Sequence, residues 1–183
     1  MIIDTHLERK MLRKYFFIVG TIKDINDKYF IKKINKEILK DNAQNYATNI
    51  KGKMTFWESF LNDTEFRKLF SQFRHYVDSN SIFNDRYYKL KDAWGYVIGK
   101  KGQTLFHDHL PNVWSGAIYL NDHSQTLDFP ELDISVKPEK GRFVLFSSFL
   151  NHGCKISNIN KLKYGLSFNY EDYNSVDQIV NVE

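Results

Sequence analysis

The stretch Thr104-Leu-Phe-His-Asp-His-Leu-Pro-Asn-Val-Trp-Ser-Gly-Ala-Ile-Tyr-Leu120 places two histidines, His107 and His109, two positions apart in a β-prone context. Side chains at positions i and i+2 of a strand point to the same face, so we expect the two imidazoles to share a face. A third histidine, His152, follows a later apolar run with the composition of a strand. Two ligands from one strand and one from another can hold a single metal ion and leave coordination positions open, and our working hypothesis is a mononuclear non-haem iron site. The alternative is two surface histidines on a strand and one in a turn.

Short β-prone runs succeed one another from residue 93 to residue 170, with turn residues between them. Sandwiches and small barrels of antiparallel strands have this spacing. The predicted strands are residues 93–98, 103–109, 113–121, 126–129, 134–137, 142–147, 152–156 and 162–170. One more strand is predicted near the N-terminus, over residues 14–22.

Two helical regions lie before residue 90. Apolar residues at three- and four-residue steps predict an amphipathic helix over residues 26–40. Thr55 and Glu58 have capping-box spacing, and the aromatic stripe that follows predicts two helical pieces separated by a cap at residues 62–64. Helices first and strands afterwards make the fold class α+β, with the helices covering one outer face of a sheet.

The last predicted strand has two chemically different faces. One face carries Lys163, Gly165, Ser167 and Asn169, and the other carries Tyr164, Leu166 and Phe168. Large apolar side chains need a cover, and the aromatic stripe before residue 80 is available for it. The polar face is therefore expected to look into the barrel.

The composition favours a folded protein without a membrane span. Of 183 residues, 42% are hydrophobic and 16% aromatic, which indicates a globule and not a disordered chain. The single cysteine, Cys154, excludes an intrachain disulfide and fits a reducing compartment. The sequence has no signal-peptide pattern and no run of about 20 apolar residues, so we expect a cytoplasmic protein.

Positive charge is concentrated near the N-terminus. Residues 1–53 contain 12 Lys/Arg and 6 Asp/Glu, a net +6, whereas the other 130 residues contain 14 and 16, a net −2. Clusters such as Arg9, Lys10, Arg13 and Lys14 can contact nucleic acid, but they are more often solvated surface and lie away from the histidines. This pattern disfavours nucleic acid as a partner.

Five motifs occur in order along the β-rich region. They are Phe106-His-Asp-His109, Trp114-Ser-Gly-Ala-Ile-Tyr-Leu-Asn121, Gly141-Arg-Phe-Val-Leu-Phe-Ser-Ser148, His152 and Lys163-Tyr-Gly-Leu-Ser-Phe-Asn169. Together they resemble the 2-oxoglutarate- and Fe(II)-dependent oxygenases, and more closely the members of that superfamily found in phages and marine bacteria, with a His-x-His…His pattern. The resemblance implies a double-stranded β-helix, or jelly roll, with N-terminal helices packed on one sheet.

The resemblance also implies the metal ligands. The His-x-Asp/Glu motif of the superfamily falls on His107 and His109, and its distal histidine falls on His152, so these three side chains would bind Fe(II). His109 stands where most members have a carboxylate. The adjacent Asp108 is expected to point outward, and could replace His109 only if a bulge turned it inward.

The cosubstrate residues follow by the same comparison. The basic residue that pairs with the distal carboxylate of 2-oxoglutarate falls on Lys163, eleven positions after His152, and Lys replaces the usual Arg. Ser167 and Asn169 share the inward face of Lys163 and could donate hydrogen bonds to the cosubstrate. Gly165 stands where the superfamily usually has a serine. Tyr96 and Trp114 are candidates for the cavity wall.

The activity implied is that of a dioxygenase that uses 2-oxoglutarate and O₂, hydroxylates a substrate and releases succinate and CO₂. The substrate stays open among a protein side chain, a free amino acid, a nucleobase and a lipid intermediate. Two alternatives also stay open: a three-histidine cupin-like dioxygenase that uses no 2-oxoglutarate, and a non-catalytic β-barrel binding or assembly protein. The length favours a single domain over residues 1–183, with residues 1–90 as a helical cover and 91–171 as the catalytic core.

Overall fold

Antiparallel β-sheet and two α-helices make up the part of the chain that this computed structural model describes. The described residues are 4–5, 15–40, 48–79 and 88–172, without the side chains of residues 4–5 and 74–79. The basic cluster at residues 9–14 lies outside these ranges. Within them, neither helix has the length and apolar character that crossing a membrane demands.

The elements alternate between helix and strand only in the first half of the chain. In chain order they are β1 (Asp4–Thr5), β2 (Phe17–Thr21), α1 (Asp27–Lys40), β3 (Ile50–Lys51), β4 (Lys53–Met54), α2 (Thr64–Ser79), β5 (Tyr88–Ile98), β6 (Gln103–His107), β7 (Trp114–Tyr119), β8 (Leu127–Phe129), β9 (Ile134–Val136), β10 (Arg142–Ser147), β11 (His152–Cys154) and β12 (Lys163–Asp172).

The strands form two sheets, and successive strands of the β-rich half cross between them except at the hairpin of β8 and β9. The larger sheet has the order β1-β2-β10-β7-β12-β5-β4, and the smaller has the order β3-β6-β11-β8-β9. All the strand pairs are antiparallel. Two such sheets packed face to face are a jelly roll, so the predicted core architecture is confirmed.

Strand β12 lies near the centre of the larger sheet, and its outer face packs on aromatic side chains of the helical half. Leu166 and Phe168 are completely buried. The Phe168 ring contacts the rings of Phe66 and Phe70 in α2, with centroids 5.7 and 6.4 Å apart. Helix α1 approaches the same sheet at Ile34, which belongs to the same apolar cluster. The alternation predicted for this strand is thus observed.

The helical half differs in detail from its prediction. Residues 57–62 form turns, and the Thr55 hydroxyl accepts a hydrogen bond from the backbone N–H of Gly95 (3.0 Å), which ties it to a strand of the sheet. The predicted capping box is therefore wrong. The predicted cap at residues 62–64 is confirmed, since the Asp63 carboxylate accepts a hydrogen bond from the backbone N–H of Phe66 (2.8 Å) at the start of α2.

Two strand boundaries matter for the site. Strand β5 begins at Tyr88, five residues before the predicted start, so its inward face gains Asp92. Strand β6 ends at His107, two residues before the predicted end, so His109 lies in the following turn. The short strands β3 and β4 are not among the strands predicted from the sequence.

Replacing Phe66 with alanine should destabilise the protein by about 3–5 kcal/mol, because the ring is buried between the helices and β12 and its loss leaves a cavity. Urea unfolding followed by circular dichroism measures this difference. Leu39→Ala is the control, since Leu39 in α1 is 84% exposed and its removal should change stability by less than about 0.5 kcal/mol. Equal effects of the two substitutions would contradict the packing described here.

Candidate metal centre

Two of the predicted ligands face each other across a strand pair. His107 in β6 and His152 in β11 are direct partners in the antiparallel register. Directly opposite residues on one sheet face have Cβ atoms about 5 Å apart, so their side chains meet. The centroids of the two imidazole rings are 4.6 Å apart.

Backbone carbonyl groups fix the orientation of both rings. His107 Nδ1 lies 2.7 Å from the Leu105 carbonyl oxygen, and His152 Nδ1 lies 2.9 Å from the Leu150 carbonyl oxygen. Each Nδ1–H can donate to its carbonyl, which leaves Nε2 of each neutral ring free of hydrogen. This is how metal-binding histidines are usually oriented by their second hydrogen bond.

His109 joins the pair from the turn after β6. Its backbone N–H donates to the Ser148 carbonyl oxygen (2.8 Å), and its own carbonyl accepts from the Asn112 side chain (2.7 Å). The His109 Nε2 atom lies 3.2 Å from Nε2 of His152. The turn is therefore held on both sides, and it directs the third ring into the space between the sheets.

The three histidines form a compact donor set. One ring nitrogen from each of His107, His109 and His152 lies within 4.8 Å of the other two. Phe129 and Phe146 pack on His152, with ring centroids 5.5 and 4.5 Å away. Imidazole nitrogens converging in an apolar setting suit Fe(II) and other divalent transition metals.

Burial and mutual proximity keep the rings neutral. Burial lowers the pKa of His109 to about 2, with the neighbouring His152 and His107 adding to the effect. Burial, assisted by His107, lowers the pKa of His152 to about 3. The pKa of His107 is also lowered, chiefly by burial. Because metal binding requires the deprotonated ring, the donor set is ready to bind a cation at neutral pH.

Asp108 is not part of this donor set. Its side chain is exposed, and its Oδ1 accepts a hydrogen bond from the backbone N–H of Leu110 (3.1 Å). The carboxylate therefore stabilises the turn that presents His109. The geometry favours His109 over Asp108 as the third ligand.

A cavity of about 330 Å³ lies beside the histidines. Its wall includes the inward faces of β5 and β12, which are registered against each other. The lining residues from these strands and from the segment before α2 include Trp57, Asp92, Trp94, Tyr96, Ser167 and Asn169. The volume is that of a site for a small ligand.

Lys163 is buried on the inward face of β12, but it does not line this cavity. Its Nζ donates a hydrogen bond to the Sγ atom of Cys154 (3.2 Å), and Cys154 does line the cavity. Burial lowers the pKa of Lys163, because the ammonium group has little solvent around it. Cys154 thus holds the position next to the ammonium group that a bound carboxylate could take.

Ser167 and Asn169 line the cavity, as the strand alternation predicts, and Asn169 is part of a polar network. The Ser115 hydroxyl donates to the Asn169 side-chain oxygen (2.7 Å) and is also hydrogen-bonded to the Ser148 hydroxyl (2.8 Å). Asn169 is paired in register with Asp92. The sequence-based prediction missed Asp92, although continuing the alternation of Trp94 and Tyr96 backwards along β5 would have found it.

One further prediction is wrong. Trp114 does not line the cavity, since it belongs to the outer apolar cluster and its ring stacks on Tyr170 with centroids 3.4 Å apart. A fourth histidine, His123, lies away from the donor set and is buried. Its ring binds backbone groups, the N–H of Gln125 (3.0 Å) and the carbonyl of Lys161 (3.1 Å), which gives it a structural role in the loop.

Solved structures with the same fold include several oxygenases. A viral collagen prolyl hydroxylase from Paramecium Bursaria Chlorella virus-1, in complex with 2-oxoglutarate, superposes with a TM-score of 0.65 and 17% identity, covering 85% of this chain and 94% of that one. A Pseudomonas putida prolyl-4-hydroxylase has a TM-score of 0.64 and 12% identity, covering 85% and 91%. HygX from Streptomyces hygroscopicus, with nickel and 2-oxoglutarate bound, has a TM-score of 0.62 and 11% identity, covering 86% and 83%.

Sequence comparison adds nothing to this structural likeness. No protein-family model matches the chain, and no curated protein matches it. At 11–17% identity, the superpositions establish a shared fold. The resemblance stated from the five motifs is confirmed at that level.

The metal-free protein should lose stability as the pH falls below about 6.5. The unfolded chain takes up protons on His109 and His152 near pH 6.5, whereas the folded chain takes them up only near pH 2–3, so unfolding is favoured in between. Each histidine should contribute roughly 1 kcal/mol per pH unit. Asp92, whose pKa burial raises to about 6, acts in the opposite direction and offsets part of the loss.

The measurement is the free energy of unfolding from pH 7 to pH 4.5 in the presence of a chelator, for the wild type and for His109→Gln. The variant lacks one titrating ring, so its free energy of unfolding should fall less steeply with decreasing pH. The slopes of the two proteins should differ by roughly 1 kcal/mol per pH unit. Parallel curves for the two proteins would show that His109 is not buried as a neutral ring.

Proposed function

We propose that this chain, which has the jelly-roll fold of the 2-oxoglutarate- and Fe(II)-dependent oxygenases, is itself such an oxygenase and hydroxylates a substrate with release of succinate and CO₂. One observation carries the proposal. Three neutral histidines, His107, His109 and His152, converge inside the jelly roll, with two of them oriented through Nδ1 by backbone carbonyls. A closely packed cluster of unprotonated imidazoles, one of them almost fully buried, fits a metal site better than a structural core.

The three imidazoles would hold Fe(II) through their ring nitrogens. When bound, the metal supplies the redox chemistry that activates oxygen. The rings remain neutral, since burial lowers their pKa values. No imidazolium therefore has to be deprotonated before the metal binds. Phe129 and Phe146 exclude water from the side of His152.

The cosubstrate would occupy the cavity with its distal carboxylate toward Lys163. This ammonium group has only a thiol as its hydrogen-bond acceptor among the described residues, and a carboxylate is a stronger one. Because Cys154 lines the cavity, a carboxylate that displaces its thiol would accept the hydrogen bond of the ammonium group. Ser167 and Asn169 are the proposed hydrogen-bonding partners further along β12.

The neighbouring structures support the choice of cosubstrate. The viral collagen prolyl hydroxylase and HygX both have 2-oxoglutarate bound, and HygX holds nickel as well. For this chain we infer the same cosubstrate and an iron centre. We also propose that residues 1–183 act as one domain, in which residues 1–90 supply both helices and further strands of the two sheets, and residues 91–171 supply the three histidines.

A second candidate is a three-histidine dioxygenase that uses no 2-oxoglutarate. The observation in its favour is that Lys163 lies behind Cys154 and does not line the cavity. A third ligand that is neutral, in place of a carboxylate, is compatible with either activity.

Incubation with Fe(II), ascorbate and 2-oxoglutarate should produce succinate slowly even without a primary substrate. His152→Ala should abolish both succinate formation and bound iron, because it removes a buried ligand. Lys163→Met should raise the KM for 2-oxoglutarate at least tenfold while iron binding is kept, since the substitution keeps the length of the side chain and removes its charge. Succinate is measured by chromatography, and iron by elemental analysis.

Lys161→Met is the matched control for the loss of charge, because Lys161 is exposed and only two residues away. It should leave the KM unchanged. Full iron occupancy with no succinate would support the second candidate. Iron content unaffected by the changes at His107 and His152 together would refute both.

A further inference from the structure

The inward face of β12 has two ends of opposite character. Lys163 is paired in register with Ile98, and Asn169 is paired with Asp92. Six residues of a strand span roughly 20 Å, so the ammonium group and the Asp92 carboxyl belong to opposite ends of the inward face. A cosubstrate held at Lys163 would therefore leave the Asp92 end for another molecule.

The Asp92 carboxyl is held in place but keeps acceptor capacity. The Asn169 side chain donates to it, and the amide is oriented for this because its oxygen accepts from the Ser115 hydroxyl. Asp92 Oδ1 is buried and accepts no hydrogen bond from any residue in the described part of the chain. Burial raises the pKa of this carboxyl to about 6, against the effect of Asn169. Such a group is stabilised by a ligand that brings hydrogen-bond donors or positive charge.

The side chains of the neighbouring lysines bond to other groups, although the positive charge of Lys91 opposes part of the rise in the pKa of Asp92. Lys91 Nζ donates to the Asn112 side-chain oxygen (3.2 Å), and Lys89 pairs with Glu171 (3.7 Å). Among the described residues, no ion pair involves Asp92. The carboxyl on the cavity wall therefore has no ion-pair partner among the described residues.

Aromatic rings lie next to this carboxyl, on the side of the histidines. Trp94 is two residues after Asp92 on the same face of β5 and lies 6.3 Å from the His109 ring. Trp57 packs on Trp94 in an edge-to-face arrangement with centroids 4.6 Å apart, and both indoles line the cavity. A carboxylate next to indole faces is a common setting for ammonium and guanidinium groups, which gain both ion pairing and cation–π attraction.

We propose that Asp92, Trp57 and Trp94 form a subsite for a cationic group of the primary substrate, so that this enzyme acts on a molecule carrying an alkylammonium or guanidinium group. This proposal rests on the proposed function, because only an oxygenase would make the cationic ligand of this subsite its substrate. The same carboxyl repels anions, so it also keeps the dicarboxylate cosubstrate at the Lys163 end. The cation comes either from a free basic amino acid or from a basic side chain in a peptide.

Binding to the protein loaded with Mn(II) and N-oxalylglycine tests this without turnover. The free probes are L-arginine, L-lysine and the neutral analogues L-citrulline and L-norleucine. The peptide probes are acetyl-Gly-Arg-Gly-amide and acetyl-Gly-citrulline-Gly-amide. Calorimetric titration should show at least one cationic probe binding ten times more tightly than its neutral analogue, and the free or peptide series that shows this identifies the source of the cation.

Asp92→Asn should remove this preference, since it keeps the size of the side chain and removes its charge. Asp108→Asn is the matched control, because that exposed aspartate also borders the cavity, and the preference should survive there. Trp57→Leu should weaken cation binding several-fold. Equal binding of cationic and neutral probes, no binding of any cationic probe at 10 mM, or an unchanged preference in Asp92→Asn would each overturn the proposal.

Succinate formation without a primary substrate distinguishes a failure of the proposed oxygenase activity from a failure of the proposed cation subsite. If the wild type forms no succinate but still prefers cations in an Asp92-dependent way, the subsite stands and the proposed oxygenase activity fails. If succinate forms and the preference is absent, the oxygenase stands and the subsite fails.

Discussion

The alternation of side chains along β12 is the constraint on which the rest of the structure depends. One face of this strand is buried against aromatic side chains of α2, and the other carries Lys163, Ser167 and Asn169 into the space between the sheets. A shift of one residue in its pairing would exchange the two faces, placing polar groups under the helices and phenylalanines in the cavity. The helical cover therefore fixes the register that gives the cavity its chemistry. The register of β12 therefore sets both the packing outside the jelly roll and the polarity inside it.

The three histidines form a donor set for a cation from imidazole rings that are themselves uncharged. Three imidazoles within a few ångströms would repel one another if protonated, and burial already disfavours their charged forms. Their lone pairs are thus available and have few partners within the protein. The short separation of His109 Nε2 and His152 Nε2 is an arrangement that a shared cation would stabilise. The folded chain holds this arrangement through strand pairing and backbone hydrogen bonds that are independent of any ligand.

Sequence patterns predicted what depends on periodicity and missed what depends on register and turns. The inward direction of Lys163 followed from simple alternation, and the neighbourhood of the three histidines followed from motif order. The direct pairing of His107 with His152 did not, because a pairing between distant strands leaves no local signal. The burial of His123 has no signal in the sequence either, because nothing in a polar loop indicates that its ring will bind backbone groups. Asp92 escaped notice because β5 starts in a charged stretch with weak strand propensity.

The backbone anchors of the histidine rings bear on how this site can diverge during evolution. The groups that orient His107 and His152 are the carbonyl oxygens of residues 105 and 150, which every amino acid provides. Selection on ring orientation therefore leaves the side chains at these positions free to change for other reasons, such as packing at 150 or surface contacts at 105. A lineage can thus keep the geometry of the centre while almost all of the surrounding sequence drifts. Substitutions at residues 105 and 150 can therefore accumulate without changing the orientation of His107 and His152.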